Sequence, residues 1–242
     1  MKALLLNSGI GSRMGKMTED APKCMCPIGD DYTILKWQLQ LLNRPEISSV
    51  IITTGYLAEK LEVYARSCQP AMDMTFVFNP KYNKTNYIYS MCLAEEYLRD
   101  DDILLLHGDL VLDPAVIDDL IHADRSVIAV DRTLPLPEKD FKAKITDGRV
   151  SAVGIHYFGD DCEACQAAYK WQSRDFRLWM GNIQAFCDSG NVNVYAEEAF
   201  NAISDRIPLF PLEMTGRLCS EIDNHDDYIA VTERFSGISK GK

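Results

Sequence analysis

The chain is poor in positive charge. It has 25 Lys and Arg against 36 Asp and Glu, with 4 His, so its formal net charge is −11 over 242 residues. Sequence-independent nucleic-acid binding draws its affinity from phosphate contacts, and this balance speaks against that class. Long apolar runs are also missing. None approaches the roughly 20 residues that a membrane-spanning helix needs, so no membrane insertion is expected. Met1-Lys2 leads at once into an apolar strand, without the apolar region and cleavage site of a secretory signal, and a cytoplasmic protein is expected. There is no internal repeat and no low-complexity segment. The eight cysteines lack a metal-knuckle pattern. Cys24-Met25-Cys26 is too closely spaced, and Cys162-Glu163-Ala164-Cys165 has no second pair or His cluster after it, so free thiols are expected. Two familiar phosphate-binding signatures are absent too. There is no G-x-x-x-x-G-K-[ST], and the third glycine of G-x-G-x-x-G is replaced by Met14.

What is present is a regular alternation. Continuous apolar strands are predicted at Ala3–Leu6, Val50–Thr54, Met74–Phe78, Ile103–His107 and Val127–Asp131. Between them lie helical patterns at Thr33–Leu42, Ala58–Arg66, Tyr87–Leu98 and Pro114–His122. Strands without polar alternation, separated by helices, predict an α/β fold with a mostly parallel sheet covered on both faces. The length fits one domain. We expect that domain over 1–235, with a core at 1–135, a second part at 136–217, and a returning strand and helix at 218–235. Residues 236–242 are small and polar and read as a tail or linker stub, which leaves room for a fused partner. Beyond residue 135, Lys142–Ile145 and Val150–Ile155 flank the turn signal Thr146-Asp147-Gly148. The segment Cys162–Gln172 follows, then helices at Arg174–Cys187 and Val194–Ile203. A strand near Leu218–Ile222 and a helix at Asp226–Phe235 close the chain.

The densest chemistry lies at the start. The first strand empties into Asn7-Ser8-Gly9-Ile10-Gly11-Ser12-Arg13-Met14, and Pro22-Lys23 follows ten residues after Arg13. A Gly-x-Gly-x-Arg turn presents backbone N–H groups to an anion, and Arg13 and Lys23 add charge suited to a triphosphate. At the end of another apolar strand stands His107-Gly108-Asp109. Ligands of open α/β sheets bind at that carboxyl edge. Asp109 is either a turn cap or a Mg²⁺ ligand, since magnesium takes one or two carboxylates together with substrate phosphates. Asp223, in Ser220-Glu221-Ile222-Asp223-Asn224, is the candidate second carboxylate, although it and Asp226 are equally candidates to cap the last helix. Thr53-Thr54-Gly55-Tyr56 ends a strand on the same edge, where Gly55 would let a flat base approach. The polar bridge Asn79–Asn86 leads to the helix that carries Ser90, and its amides suit a base or ribose. His107 reads as a packed neighbour.

Taken together, these residues resemble the sugar-phosphate nucleotidyltransferase superfamily. Thr54-Gly55-Tyr56, the block from Asn79-Pro80-Lys81-Tyr82 to Ile88-Tyr89-Ser90, and Glu221-Ile222-Asp223 with Asp227-Tyr228 look like the cytidylyltransferases that activate phosphocholine and 2-aminoethylphosphonate. The resemblance implies a Rossmann-like three-layer α/β/α fold with a mostly parallel mixed sheet. It implies that CTP is cradled by Asn7, Ser8, Gly9, Gly11, Ser12, Arg13 and Met14, with Lys23 at the α-phosphate, and with Gly55, Tyr56, Asn86 and Ser90 also on the nucleotide. Arg13 and Lys23 are then the catalytic cations, and Asp109 and Asp223 bind Mg²⁺. Tyr195 and Glu197 lie where the choline enzymes have an acceptor helix, and Tyr169 is a further acceptor candidate. The chain departs from the pattern in having Asn7-Ser8 for small apolar residues, Ser12 for Thr, and Met14-Gly15 for Leu-x-Pro. The expected partners are CTP and a small phosphorylated or phosphonate acceptor, with a homodimer left open. Alternatives are a transferase for a sugar 1-phosphate and a nucleotide-binding module without turnover.

Overall fold

The first strand, β1 (Lys2–Leu6), is buried on both sides. Ala3 and Leu5 pack into one apolar cluster, and Leu4 and Leu6 into the other. That two-sided burial is why its sequence shows no polar alternation. The computed structural model describes residues 1–68 and 70–239. After β1 come two short 3₁₀ turns, Ser12–Thr18 and Lys23–Met25. The order then runs α1 (Ile34–Leu42), β2 (Ser49–Thr54), α2 (Ala58–Ser67), β3 (Asp73–Phe78), α3 (Tyr87–Leu98), β4 (Ile103–His107), β5 (Leu110–Leu112), α4 (Pro114–His122) and β6 (Val127–Asp131). The second half holds β7 (Lys142–Thr146), β8 (Arg149–Gly154), β9 (Cys162–Trp171), α5 (Ser173–Asp188), α6 (Ala196–Asn201), β10 (Phe210–Glu213), β11 (Cys219–Glu221) and α7 (His225–Ser239).

The main sheet has nine strands, with the path β10-β6-β9-β4-β1-β2-β3 and the β7–β8 hairpin on β9. Pairs β4–β1–β2–β3 and β10–β6 are parallel, while β9 runs antiparallel between β4 and β6. The sheet is therefore mixed and mostly parallel, with β4, β1, β2 and β3 of the first half all parallel, as expected. Helix starts follow the capping rules. Thr33 Oγ1 accepts from the Lys36 N–H, and Asp113 accepts from the Ala115 N–H with Pro114 at the first helical position. The β7–β8 turn places Asp147 and Gly148 at φ 52° and 74°, the left-handed pair of a tight hairpin.

Three elements differ from expectation. Cys162–Trp171, left without a type in the sequence, is the longest strand. Residues 3 apart on a strand face opposite sides, so buried Cys165 and half-buried Cys162 cannot chelate together, and all eight thiols are free. The expected tail from residue 236 is instead helical as far as Ser239, because Phe235 is fully buried against Trp37 and Tyr32 and anchors that last stretch. Residues 240–242 lie outside the described part. The small antiparallel sheet β5–β11, with Glu221 opposite Leu110, was only half expected.

Candidate active site

The carboxyl edge of the parallel strands gathers the site. After β1 the chain turns at Gly11 (φ 71°), where an added Cβ would sit 3.0 Å from the Lys23 Cβ. Glycine is thus required both by the dihedral and by the close passage of Lys23. The Gly11 carbonyl accepts from the Met14 N–H and the Thr18 hydroxyl, which closes the loop. No described group accepts from the backbone N–H groups of Gly9 and Ile10, and they stay available to an anion.

Asp109 follows β4 through Gly108. A Cβ on Gly108 would fall 1.9 Å from Asn7 Oδ1, so the two strand ends are packed side to backbone. The β5–β11 pairing, extended by the Ile222 N–H donating to the Asp109 carbonyl at 3.1 Å, lays Glu221 and Asp223 beside Asp109 across more than a hundred residues of sequence. The helix-cap alternative for Asp223 does not hold. Asn224 Oδ1 accepts from the N–H groups of Asp226 and Asp227, while Asp227 accepts from those of Asp223 and Asn224. The Asp223 carboxylate is left to face the site.

At the centre the Lys23 ammonium lies 2.6 Å from Asp109 Oδ2 and 2.5 Å from Asp223 Oδ1. Arg13 reaches Asp223 Oδ2 at 2.8 Å from the solvent side. Burial works to lower the Lys23 pKa, but the two carboxylates outweigh it and hold the ammonium above its ordinary value. Burial likewise works to raise Asp109, and the Lys23 and His107 charges outweigh it and keep that carboxyl below the usual range. His107 Nδ1 lies 3.2 Å from Glu221 Oε1. Burial and the neighbouring Asp109 charge push Glu221 up. Burial opposes His107 protonation, but the Glu221 contact raises its pKa overall. His107 was expected as a packed neighbour; it is also a wall of the site.

Two adjoining cavities of about 420 Å³ each open here, with Asp109, Asp223, Arg13 and Gly9 on the wall they share. One is lined by the Gly9–Arg13 loop, Lys23 and the Tyr82–Thr85 bridge. The other is lined by Ser8, Asn86, Tyr87, Ser90, His107, Phe141, Tyr195 and Glu221. The four rings form a closed circuit: Tyr87–His107 4.7 Å between centroids, His107–Phe141 6.4 Å, Phe141–Tyr195 5.1 Å and Tyr195–Tyr87 6.0 Å. The wall carrying Phe141 is tied down by the fully buried Lys142, whose Nζ donates to the Pro137 carbonyl at 2.6 Å and to that of Ile155.

Of the residues singled out from sequence, Asn7, Ser8, Gly9, Gly11, Ser12, Arg13, Lys23, Asn86, Ser90, Asp109, Tyr195 and Asp223 line these cavities. Others sit elsewhere. Gly55 is covered, because the space a side chain would take is filled by the Ser8 carbonyl at 2.4 Å and Tyr82 at 2.6 Å, so its role is loop packing rather than base approach. Tyr56 donates outward to the Glu19 carbonyl, and Met14 is core. Tyr169 and Glu197 are 1% and 2% exposed and stand one layer back from the cavity. The Glu197 carboxylate accepts from the hydroxyls of Tyr87 and, at 2.8 Å, Tyr169. Burial first, then the Glu197 charge, raises both phenols well above their ordinary value, so both stay donors. Glu197 therefore orients Tyr87, which the sequence reading missed although it directly follows the helix cap Asn86.

A cation-binding centre fits this donor set. Two carboxylates converge on one point that already holds an ammonium, and Asp109 Oδ1 is buried without a partner. One ligand atom from each of His107, Asp109 and Glu221 also lies within 4.8 Å of the others. Oxygen donors beside a phosphate loop suit magnesium.

A mostly parallel sheet with a glycine turn after its first strand and acidic side chains at its carboxyl edge defines the nucleotidyltransferase class of α/β folds. The chain belongs to the MobA-like NTP transferase domain family, matched over residues 3–136. It is 34% identical over 55% of its length to a CMP-5′-(3-aminopropyl)phosphonate synthase of Streptomyces rubellomurinus, covering 21% of that protein. It is 27% identical over 55% of its length to a CTP:phosphoglutamine cytidylyltransferase of Campylobacter jejuni, covering 53% of it. It is 31% identical over 43% of its length to a choline-phosphate cytidylyltransferase of Streptococcus pneumoniae, covering 43% of it. The chain thus spans about half or less of the curated relatives it matches. Among solved structures, the CTP:phosphocholine cytidylyltransferase of Streptococcus pneumoniae superposes with a TM-score of 0.76 at 21% identity, covering 97% of this chain and 98% of that one. The inositol-1-phosphate CTP transferase of T. maritima gives 0.79 at 21% identity, covering 99% and 96%. No described helix is long and apolar enough to cross a membrane.

Proposed function

We propose that the chain is a Mg²⁺-dependent cytidylyltransferase that moves CMP from CTP to a small acceptor bearing an amine and a phosphate or phosphonate. The observation that carries this reading is the convergence of Asp109, Asp223, Lys23 and Arg13 between a loop-lined cavity and a ring-lined one. The related proteins named as CMP-aminopropylphosphonate synthase and choline-phosphate cytidylyltransferase support the choice of nucleotide and of acceptor class. In this reading residues 1–135 bind the nucleotide, 136–217 supply the acceptor wall with Phe141 and Tyr195, and 218–235 return Asp223.

The acceptor oxygen attacks the α-phosphorus. A new P–O bond forms, the α–β bridge breaks, and pyrophosphate departs. That oxygen is already ionised near neutral pH, so no general base is needed. The obstacle is bringing two anions together, and the remedy is positioning and charge. Magnesium held by Asp109 and Asp223 would neutralise phosphate charge and align the reacting oxygens. Arg13 and Lys23 hold the phosphates, with the N–H groups of Gly9 and Ile10 in the turn. The Tyr87–His107–Phe141–Tyr195 circuit, with Glu221 beside it, offers ring faces and a carboxylate to the acceptor's cationic head.

Pyrophosphate release over a panel of nucleotides and acceptors tests the reading. CTP with an aminophosphonate or phosphocholine should give the fastest release, and Asp109→Asn should lower it by at least about a hundredfold. A sugar 1-phosphate as the best acceptor, or little loss in Asp109→Asn, would refute it.

A further inference from the structure

Helices α3 and α5 pack against one another, and each brings a cysteine to the contact. Cys92 Sγ donates to Gln184 Oε1 at 3.1 Å, and Gln184 lies one turn of α5 before Cys187. Cys187 Sγ lies 4.0 Å from the Ile88 carbonyl, the group one turn before Cys92 that accepts its helical N–H. Each sulfur thus sits against the turn that carries the other, and the two thiols hydrogen-bond to one another. Both are half-buried and free, and the proposed transfer chemistry uses neither.

The pair stands beside the ring-bearing cavity without entering it. Asn86, Tyr87 and Ser90 of α3 line that cavity. Cys92 lies about 200° round the helix from Ser90, on nearly the opposite side. Just beyond Cys187, α5 ends at Asp188. The chain then passes the start of α3, where the Asn86 N–H donates to the Val192 carbonyl at 2.8 Å, and supplies Asn193 and Tyr195 to the same cavity. A covalent link between the sulfurs would join the two segments that carry these side chains.

We propose that Cys92 and Cys187 are a disulfide-forming pair, a modification site for a small disulfide such as oxidised glutathione, whose closure braces α3 against α5. Cys92 begins the exchange. Burial raises both thiols, but the Cys187 S–H donates to Cys92 and works to lower it, whereas Cys187 is pushed up to about 12 by burial and then by Cys92. The Cys92 thiolate attacks one sulfur of the small disulfide R–S–S–R and expels R–S⁻, which takes up the proton that Cys92 gave off. Cys187 then gives up its proton and attacks Cys92 Sγ. The Cys92–Cys187 bond forms, the bond to R breaks, and the second R–S⁻ takes that proton. The two cysteines are oxidised by two electrons, and the small disulfide is reduced to two R–SH. Because the thiolate is the nucleophile, the exchange is slow at neutral pH and faster in mild alkali.

The test incubates the reduced full chain with oxidised glutathione in mild alkali, blocks the remaining thiols and maps the unreduced peptides by mass spectrometry. A peptide joined through Cys92 and Cys187 should dominate, and dithiothreitol should abolish it. Cys187→Ser should instead retain glutathione on Cys92 and give no bridge. The bridged chain should melt about 5–10 °C above the reduced one, since closing a long loop restricts the unfolded chain. Cys68 and Cys162, also half-buried, are the internal reference. Modification of those two while Cys92 and Cys187 stay free would overturn the pairing, as would a bridge dominated by any other cysteines. Cys92 left unmodified in Cys187→Ser would overturn its role as the first nucleophile. A bridged chain that melts no higher than the reduced one would overturn the brace.

Discussion

Replacing Lys23 by methionine should do two opposite things. The ammonium holds apart two carboxylates that are 14% and 21% exposed at their side chains, at 2.5 and 2.6 Å. At an effective dielectric near 20, unit charges 4 Å apart interact by about 4 kcal/mol. Breaking a buried pair costs about 3–5 kcal/mol. Partial exposure of all three groups brings the expected loss to about 2–3 kcal/mol. For a chain of this length that lowers Tm by about 5–10 °C in EDTA. The same change leaves two adjacent carboxylates without their resident cation. Mg²⁺ should then return stability, about 2.7 kcal/mol at a hundredfold excess over its Kd, while the protein with Lys23 intact responds less because the lysine competes. Thermal unfolding with EDTA and with Mg²⁺ measures both effects, and turnover should still be lost because the phosphate cation is gone. A Lys23→Met protein as stable as its parent in EDTA, or indifferent to Mg²⁺, would show that the carboxylates do not form a cation site.

Two further outcomes follow from packing and charge. Gly108→Ala should cost about 2–4 kcal/mol, because its Cβ would meet Asn7 Oδ1 at 1.9 Å. Asn7→Gly in the same chain should restore most of that loss, as denaturant unfolding of both variants would reveal; equal loss in single and double variants counts against the contact. Tyr87 and Tyr169 titrate well above their ordinary value in the folded protein, from burial and from Glu197. The unfolded chain releases those protons near pH 10. Their contribution is therefore complete below that pH and declines as pH rises above it. Tyrosinate absorbance from these two should appear only together with alkaline unfolding, and its appearance in the folded protein would contradict the assignment.

Much of the fold was legible because its signals are long or chemical. β4, α3 and α4 begin and end where the apolar runs, Asn86 and Asp113-Pro114 place them. Asp109 and Asp223 were identifiable as carboxylates that follow apolar strands, and Lys23 by the Pro22-Lys23 pair ten residues after Arg13, and the structure brings the three together. What escaped has a physical reason in each case. β5 and β11 are three residues each, too short for any periodicity, yet their pairing delivers Asp223 and Glu221. Cys162–Trp171 carries small and charged residues together because it runs from solvent into the centre of the sheet. Glu197 looked like a ligand for a cation, since a sequence cannot show that two phenols already hold its oxygens. Gly55 looked like room for a base, and the room is taken by Tyr82.

The short β5–β11 ribbon also imposes an order on synthesis. Core strands β1 to β4 leave the ribosome early and can pair among themselves. Asp223 arrives more than a hundred residues after Asp109. A nascent chain halted before Cys219 would own a phosphate turn and one acidic side chain, and would be unable to hold its lysine between two. The two-carboxylate centre is therefore completed only when the chain has been made as far as Asp223, near the end of the described residues.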